Sequence, residues 1–189
     1  MTNYPSGRSL GARIQAARKN RGMSARELAE AIGGIPTQST IENIELGRKV
    51  SIDVVHLLNI AMATKVPLSF LLAPLDDPKA LLDLPGLSHE FDGMTSIEFD
   101  AWLSNVPDGA HRARTIEERN AIADLQALRA WHAQAAETRR LEIAIRLEDQ
   151  YRDPGHTVSM RTVDNRLSES QKELARLAGL LRSAGWVVE

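Results

Sequence analysis

Residues 24–47 read SARELAEAIGGIPTQSTIENIELG, and the reading of this stretch decides the fold. Ser24 stands where a helix N-cap belongs and Glu27 follows three residues later, the spacing of a reciprocal capping box. Leu28, Ala29 and Ile32 then recur at helical spacing, which predicts a helix over Ala25–Ile32 with one buried stripe. Gly33-Gly34-Ile35-Pro36 ends it, because glycine permits positive φ and proline disfavours a helical residue before it. A second helix is predicted from about Thr37 to Leu46, with Ile41 and Ile44 turned inward and Gly47 just past its end. Working outward, Leu10, Ile14 and Ala17 mark a helix over Leu10–Arg21 that stops near Gly22. Downstream, Ser51 is expected to cap a helix over Ile52–Ala63, with Ile52, Val55, Leu58 and Met62 on one face. Pro67 suits the opening of a short fifth helix through Leu72. Five short helices therefore form a head over residues 1–73.

The remainder is also helical, so the chain as a whole is expected to be all-α. Residues 74–110 are acidic and punctuated by proline, and read as a linker with one short helix. Thr95 and Glu98 form a second capping box ahead of Phe99, Trp102 and Leu103. Phe91, Phe99 and Trp102 are expected to pack on one another. Residues 111–189 carry the longest helical signal, since Thr115–Tyr151 contains neither Pro nor Gly. Asp153-Pro154-Gly155 is a turn signal. Beyond it Met160, Val163, Leu167, Ser170, Leu174, Leu177 and Leu181 follow the 3-4 spacing of a narrow seam. The seam has Leu125, Leu128, Trp131, Leu141 and Ile145 to meet, which predicts an antiparallel helical hairpin.

Composition narrows the function classes. A chain with 43% apolar and 25% charged residues is of the globular kind. It has no cysteine, hence neither a disulfide nor a thiolate metal site. Its five histidines (His56, His89, His111, His132 and His156) are isolated and form no HExxH pair, so neither metal nor cofactor is expected. No apolar run approaches the ~20 residues that span a bilayer and no basic segment leads into an apolar one at the start, so a cytoplasmic protein is expected. The net charge of −2 conceals an asymmetry. The head carries +4, residues 74–110 carry −7 and the remainder +1, so a modestly basic head precedes an acidic segment.

The two-helix pattern RELAEAI followed by QSTIENIELG resembles the lambda-repressor-like, or Xre and Cro/C1-type, helix-turn-helix regulators, over Leu10 to about Leu72. The resemblance implies a five-helix DNA-binding domain whose first motif helix lies across the backbone while the second enters the major groove. It places base contacts on Gln38, Ser39, Thr40 and Asn43. Glu42 lies on the same side and could accept from cytosine N4. Amides and hydroxyls suit this role, because Gln and Asn pair with adenine N6 and N7 and hydroxyls donate or accept. Ser24, Arg26, Thr37, Arg48 and Lys49 are the phosphate-contact candidates. Arg18 and Glu45 match positions that form an internal ion pair in the family. One departure stands out: the spacing from Gly33 to Ile41 is about two residues longer than the family's usual turn.

The partners expected are double-stranded DNA and a second copy of the chain through the C-terminal helices, since apolar positions such as Ile122, Ile143 and Leu147 lie off the main seam of the longer helix. The function expected is a transcriptional regulator, most simply a repressor and not an enzyme. The bias of 18 arginines to 5 lysines fits a GC-rich bacterium or its bacteriophage, and with it a phage immunity repressor. A self-cleaving Ser/Lys peptidase half, known in some phage repressors, does not fit a helical region with Lys172 as its one lysine. Two alternatives stay open. The hairpin could bind a different protein, as an antitoxin or adaptor would, or Ser159–Val188, with RTVDNRL at 161–167, could form a second DNA-reading unit in a monomer.

Overall fold

A computed structural model describes residues 7, 9–49, 51–106, 113–150 and 157–188. Among them are eight α-helices and one 3-10 turn, with no strand beyond a single bridge between Leu81 and Thr95. The fold is all-α. The head contains α1 (Leu10–Asn20), α2 (Ala25–Ala31), α3 (Gln38–Glu45), α4 (Val54–Thr64) and α5 (Leu68–Leu72). Local chemistry starts each of the first four. The side chains of Ser9, Ser24, Thr37 and Asp53 accept the orphan backbone N–H groups of α1, α2, α3 and α4 respectively.

One core joins the five helices. Ile14 and Ala17 of α1 meet Leu28 and Ala29 of α2, Ile41 and Ile44 of α3, Leu57 and Ile60 of α4 and Leu71 of α5. Gly11 lets α1 approach α3, because a Cβ there would collide with the Ile44 carbonyl.

Helix α4 departs from the sequence expectation in two ways. Asp53, not Ser51, caps it, and the helix starts at Val54. Its buried face is Leu57, Ile60, Ala61 and Thr64, whereas Val55, Leu58 and Met62 are exposed. Nearly every residue of VVHLLNIAMAT is apolar or small, so periodicity alone could not say which face is covered. Ile52 does reach the core, from the loop ahead of the helix.

The chain divides into two units, Met1–Arg112 and Ala113–Glu189. The acidic stretch after the head belongs to the first of them. It holds the 3-10 turn His89–Phe91 and α6 (Ser96–Ser104), the latter capped by the Thr95–Glu98 box. Fully buried Ser96 donates to the Asp77 carbonyl at 2.7 Å, and Phe91 meets Trp102 edge-on at 5.0 Å. Phe99 stacks on Trp102 at 5.8 Å.

The second unit is the hairpin of α7 (Ile116–Gln150) and α8 (Thr157–Ser183). Trp131 and Leu128 pack near Leu181, while Glu137 reaches Arg166, so rising numbers on α7 meet falling numbers on α8 and the pair is antiparallel. Leu141, Ser170, Leu177 and Leu181 are buried in the seam. After α8 the Trp186 N–H returns to the Leu181 carbonyl, and Val188 is buried beside Leu181. The Asp153-Pro154-Gly155 turn, the Met160 side chain, His111 and His156 lie outside the described residues.

Candidate nucleic-acid interface

The motif is built from the two caps upward. Ser24 accepts from the Glu27 N–H at 3.1 Å while Glu27 accepts from the Ser24 N–H at 2.7 Å, closing the box that starts α2. This backbone bond holds the Glu27 carboxyl below its usual range. Thr37 caps α3 by accepting from the Thr40 N–H at 3.3 Å, and its hydroxyl lies 3.0 Å from that of Thr40. Each cap side chain accepts one first-turn N–H, and a helix N-terminus with further N–H groups left over is the kind of end that receives a phosphate.

Between the two helices run residues 32–37. Gly33 and Gly34 take φ of +80° and +81°, where an L side chain is strained, so both glycines are required by the turn. Pro36, joined to Ile35 by a cis peptide, is fully buried, while Ile35 is exposed. The longer turn is thus anchored from within by Pro36.

Along α3 the buried side is Ile41 and Ile44. Gln38, Ser39 and Glu42 are exposed, and Thr40 and Asn43 are half-buried. Gln38 Nε2 donates to Glu42 Oε1 at 2.8 Å. The bond uses one of the two amide protons, leaving the second and the carbonyl oxygen, the pair that bidentate adenine recognition needs. The Asn43 carbonyl accepts from the Arg48 and Lys49 N–H groups at 2.9 and 3.1 Å, which holds the loop after α3 while both cationic side chains stay exposed. Arg26 is paired with Glu30 at 2.8 Å, but both are well exposed, so the pair is weak and the guanidinium can swing to a phosphate.

Behind this surface two arginines fix the frame. Arg18 Nε and Nη2 donate to Glu45 at 2.7 and 2.6 Å, tying α1 to α3. Their side chains are only 11% and 3% exposed. The Glu45 hydrogen bond raises the Arg18 pKa against the opposing effect of burial. Arg18 Nη1 also donates to the Met23 carbonyl at 2.7 Å, ahead of α2.

Arg13, which the sequence reading did not single out, is wholly buried. Its Nε donates to the Leu71 carbonyl at 2.7 Å, and Nη1 and Nη2 reach the Gly7 and Leu72 carbonyls at 3.0 Å each. The same two nitrogens hold Asp83 in a fork at 2.7 and 2.8 Å. These bonds occupy all five guanidinium N–H groups. One acid of the 74–106 stretch is therefore clasped to the head, 70 residues away in sequence. No periodicity announces that pairing.

Among the described residues no group of His, Asp and Glu could hold a metal ion, and no helix is long and apolar enough to cross a membrane. No curated protein and no solved structure matches the chain. Residues 14–71 do match the model of the helix-turn-helix family, spanning α1 from Ile14 through Leu71 of α5. The N-terminal part of this chain is thus a helix-turn-helix domain of the Xre, lambda-repressor-like family, a DNA-binding regulatory fold.

Proposed function

We propose that the protein is a transcriptional repressor that binds specific double-stranded DNA as a homodimer, in the manner of a phage immunity repressor acting in the cytoplasm. The observation that carries this reading is α3 itself: a capped helix with its apolar side buried and Gln38, Ser39 and Glu42 outward, followed by exposed Arg48 and Lys49. Gln38, Ser39, Thr40 and Asn43 read base edges. Ser24, Arg26, Thr37, Arg48 and Lys49 hold the backbone. Thr37 and Ser24 do so through the helix ends they cap, because their hydroxyls already serve those caps.

Dimerisation through the hairpin is supported by Ile143 and Leu147, four residues apart on α7 and 56% and 51% exposed. Two such faces joined by a two-fold axis give a four-helix bundle. The run 161–167 lies inside continuous α8 with Val163 and Leu167 half-buried, which argues against a separate DNA-reading unit there.

Selection of bound fragments from random DNA tests the reading, and a two-fold symmetric site is expected. On that site Gln38→Ala should cost about 1–3 kcal/mol at one base pair only. Arg48→Ala should weaken binding to all sequences and reduce the salt slope by about one. No enrichment of any sequence would overturn the proposal. A hairpin that sediments with a different protein and never with itself would replace the homodimer.

A further inference from the structure

The turn between α2 and α3 carries an apolar side chain that the head leaves largely uncovered. Ile35 is 67% exposed, while Pro36 beside it is fully buried. A lone apolar residue on a surface is ordinary. Ile35 differs in being pinned from both sides. The Gly34 N–H is bonded to the Ala29 carbonyl at 2.8 Å, closing the end of α2, and the Thr37 hydroxyl caps α3. Pro36 sits in the interior between Ile35 and that cap. The side chain is thus held at the entrance to α3, with little backbone freedom left to lose when it meets a partner.

Charge sorts the surface around it. Residues 31–41, AIGGIPTQSTI, contain no charged side chain and lie between Glu30 and Glu42. The exposed cations of the motif stand outside this run, Arg26 at the start of α2 and Arg48 and Lys49 after α3. Phosphates are met by cations, whereas base edges are met by amides, hydroxyls and apolar groups. The uncharged run contains Gln38, Ser39 and Thr40. Ile35 precedes Gln38 by three residues, at the end of α3 that leads into the groove.

We propose that Ile35 is a further specificity-determining residue, which packs on a thymine C5-methyl group at a base pair next to the one met by Gln38. That methyl is the apolar group offered by base edges in the major groove, and it marks thymine alone among the four bases. The contact needs no donor or acceptor, and it takes two apolar groups out of water together. It rests on the DNA-binding reading and extends base recognition from α3 into the longer turn ahead of it.

The test uses the full chain and the site that it selects from random DNA. Replacing each thymine in turn by deoxyuridine removes one methyl and keeps the base pair. At one thymine of a half-site the wild-type chain should lose affinity about fourfold, the worth of one buried methyl. Ile35→Ala should show no loss at that position, and Ile35→Val should keep most of it. Because the side chain is exposed, Ile35→Ala should unfold in urea at the wild-type midpoint.

Equal deoxyuridine losses for wild type and Ile35→Ala at every position overturn the proposal. So does a lowered unfolding midpoint with weaker binding to all sequences, which would make Ile35 a prop for the turn. In both cases a site has been selected and the functional reading stands. A wild-type chain that selects no site overturns both.

Discussion

The head and the hairpin are both helical, yet they are held together by different means. In the head, five short helices converge on one core, and two buried arginines spend their hydrogen bonds on particular partners far along the chain: Arg13 on Leu71, Leu72 and Asp83, Arg18 on Glu45. In the hairpin two long helices share one apolar seam, crossed by a polar layer in which Ser170 lies 2.7 Å from both Gln134 Nε2 and the Thr138 hydroxyl. The hairpin's ion pairs Arg176–Glu173 and Arg166–Glu137 are exposed. A surface that must present a few side chains in fixed register needs directional bonds behind it. A rod needs only a continuous stripe.

The sharpest way to break this contrast is to remove one partner of a buried pair. Glu45→Ala leaves the Arg18 guanidinium buried without its carboxylate, and should cost about 3–5 kcal/mol. The loss should fall on the head's unfolding transition in urea, with the hairpin's helical signal retained. If both signals are lost together, the two units do not unfold independently. A hairpin change of somewhat smaller effect is Leu181→Ala. Leu181 is 1% exposed and packs with Ala178 and Val188, so truncation should cost about 2–5 kcal/mol and lower the hairpin transition alone. DNA binding by the head should then persist on a single half-site while any hairpin-dependent gain on a double site falls.

The two units were legible to different depths. The caps Ser24, Thr95 and Gly47's place after α3 could be read directly, because capping chemistry is local and confined to a few residue types. The hairpin seam was equally legible, since Val163, Leu167, Ser170, Leu174, Leu177 and Leu181 are all buried or half-buried at the spacing that announced them. The inward face of α4 was not, because a helix apolar on both sides carries no phase. The Arg13–Asp83 clasp was invisible for another reason. An arginine's burial depends on acceptors supplied by carbonyls and a carboxylate elsewhere, and carbonyls leave no mark on sequence. The same clasp explains why the acidic stretch sits with the head although its composition reads as a tether. At the candidate interface the residue types of α3 were evident, while the Gln38–Glu42 bond that orients the amide needed coordinates.

The smallest effect separates the two kinds of electrostatics. Glu27 in the head and Glu173 in the hairpin both have carboxyls held below the usual range, for different causes. Glu27 is held mainly by the Ser24 backbone N–H, and Glu173 mainly by the hydrogen bond that Arg176 donates, with the Arg176 charge as a lesser cause that Glu27 lacks. A carboxyl whose folded pKa is depressed adds stability that is full above its unfolded pKa and is lost as pH falls through the folded one. Both contributions should therefore vanish on acidification below the ordinary carboxylate range. Salt tells them apart, because an exposed ion pair is screened while a hydrogen bond to a backbone N–H is short-ranged. Titrating the side-chain carboxyl carbons by NMR at about 0.1 M and 1 M salt should move Glu173 part of the way toward its ordinary value, by the lesser contribution of the Arg176 charge, and leave Glu27 nearly in place. Equal movement of the two would mean that the cap at α2 is held by the field of nearby charges, and that the head's directional bonding does not extend to its exposed helix ends.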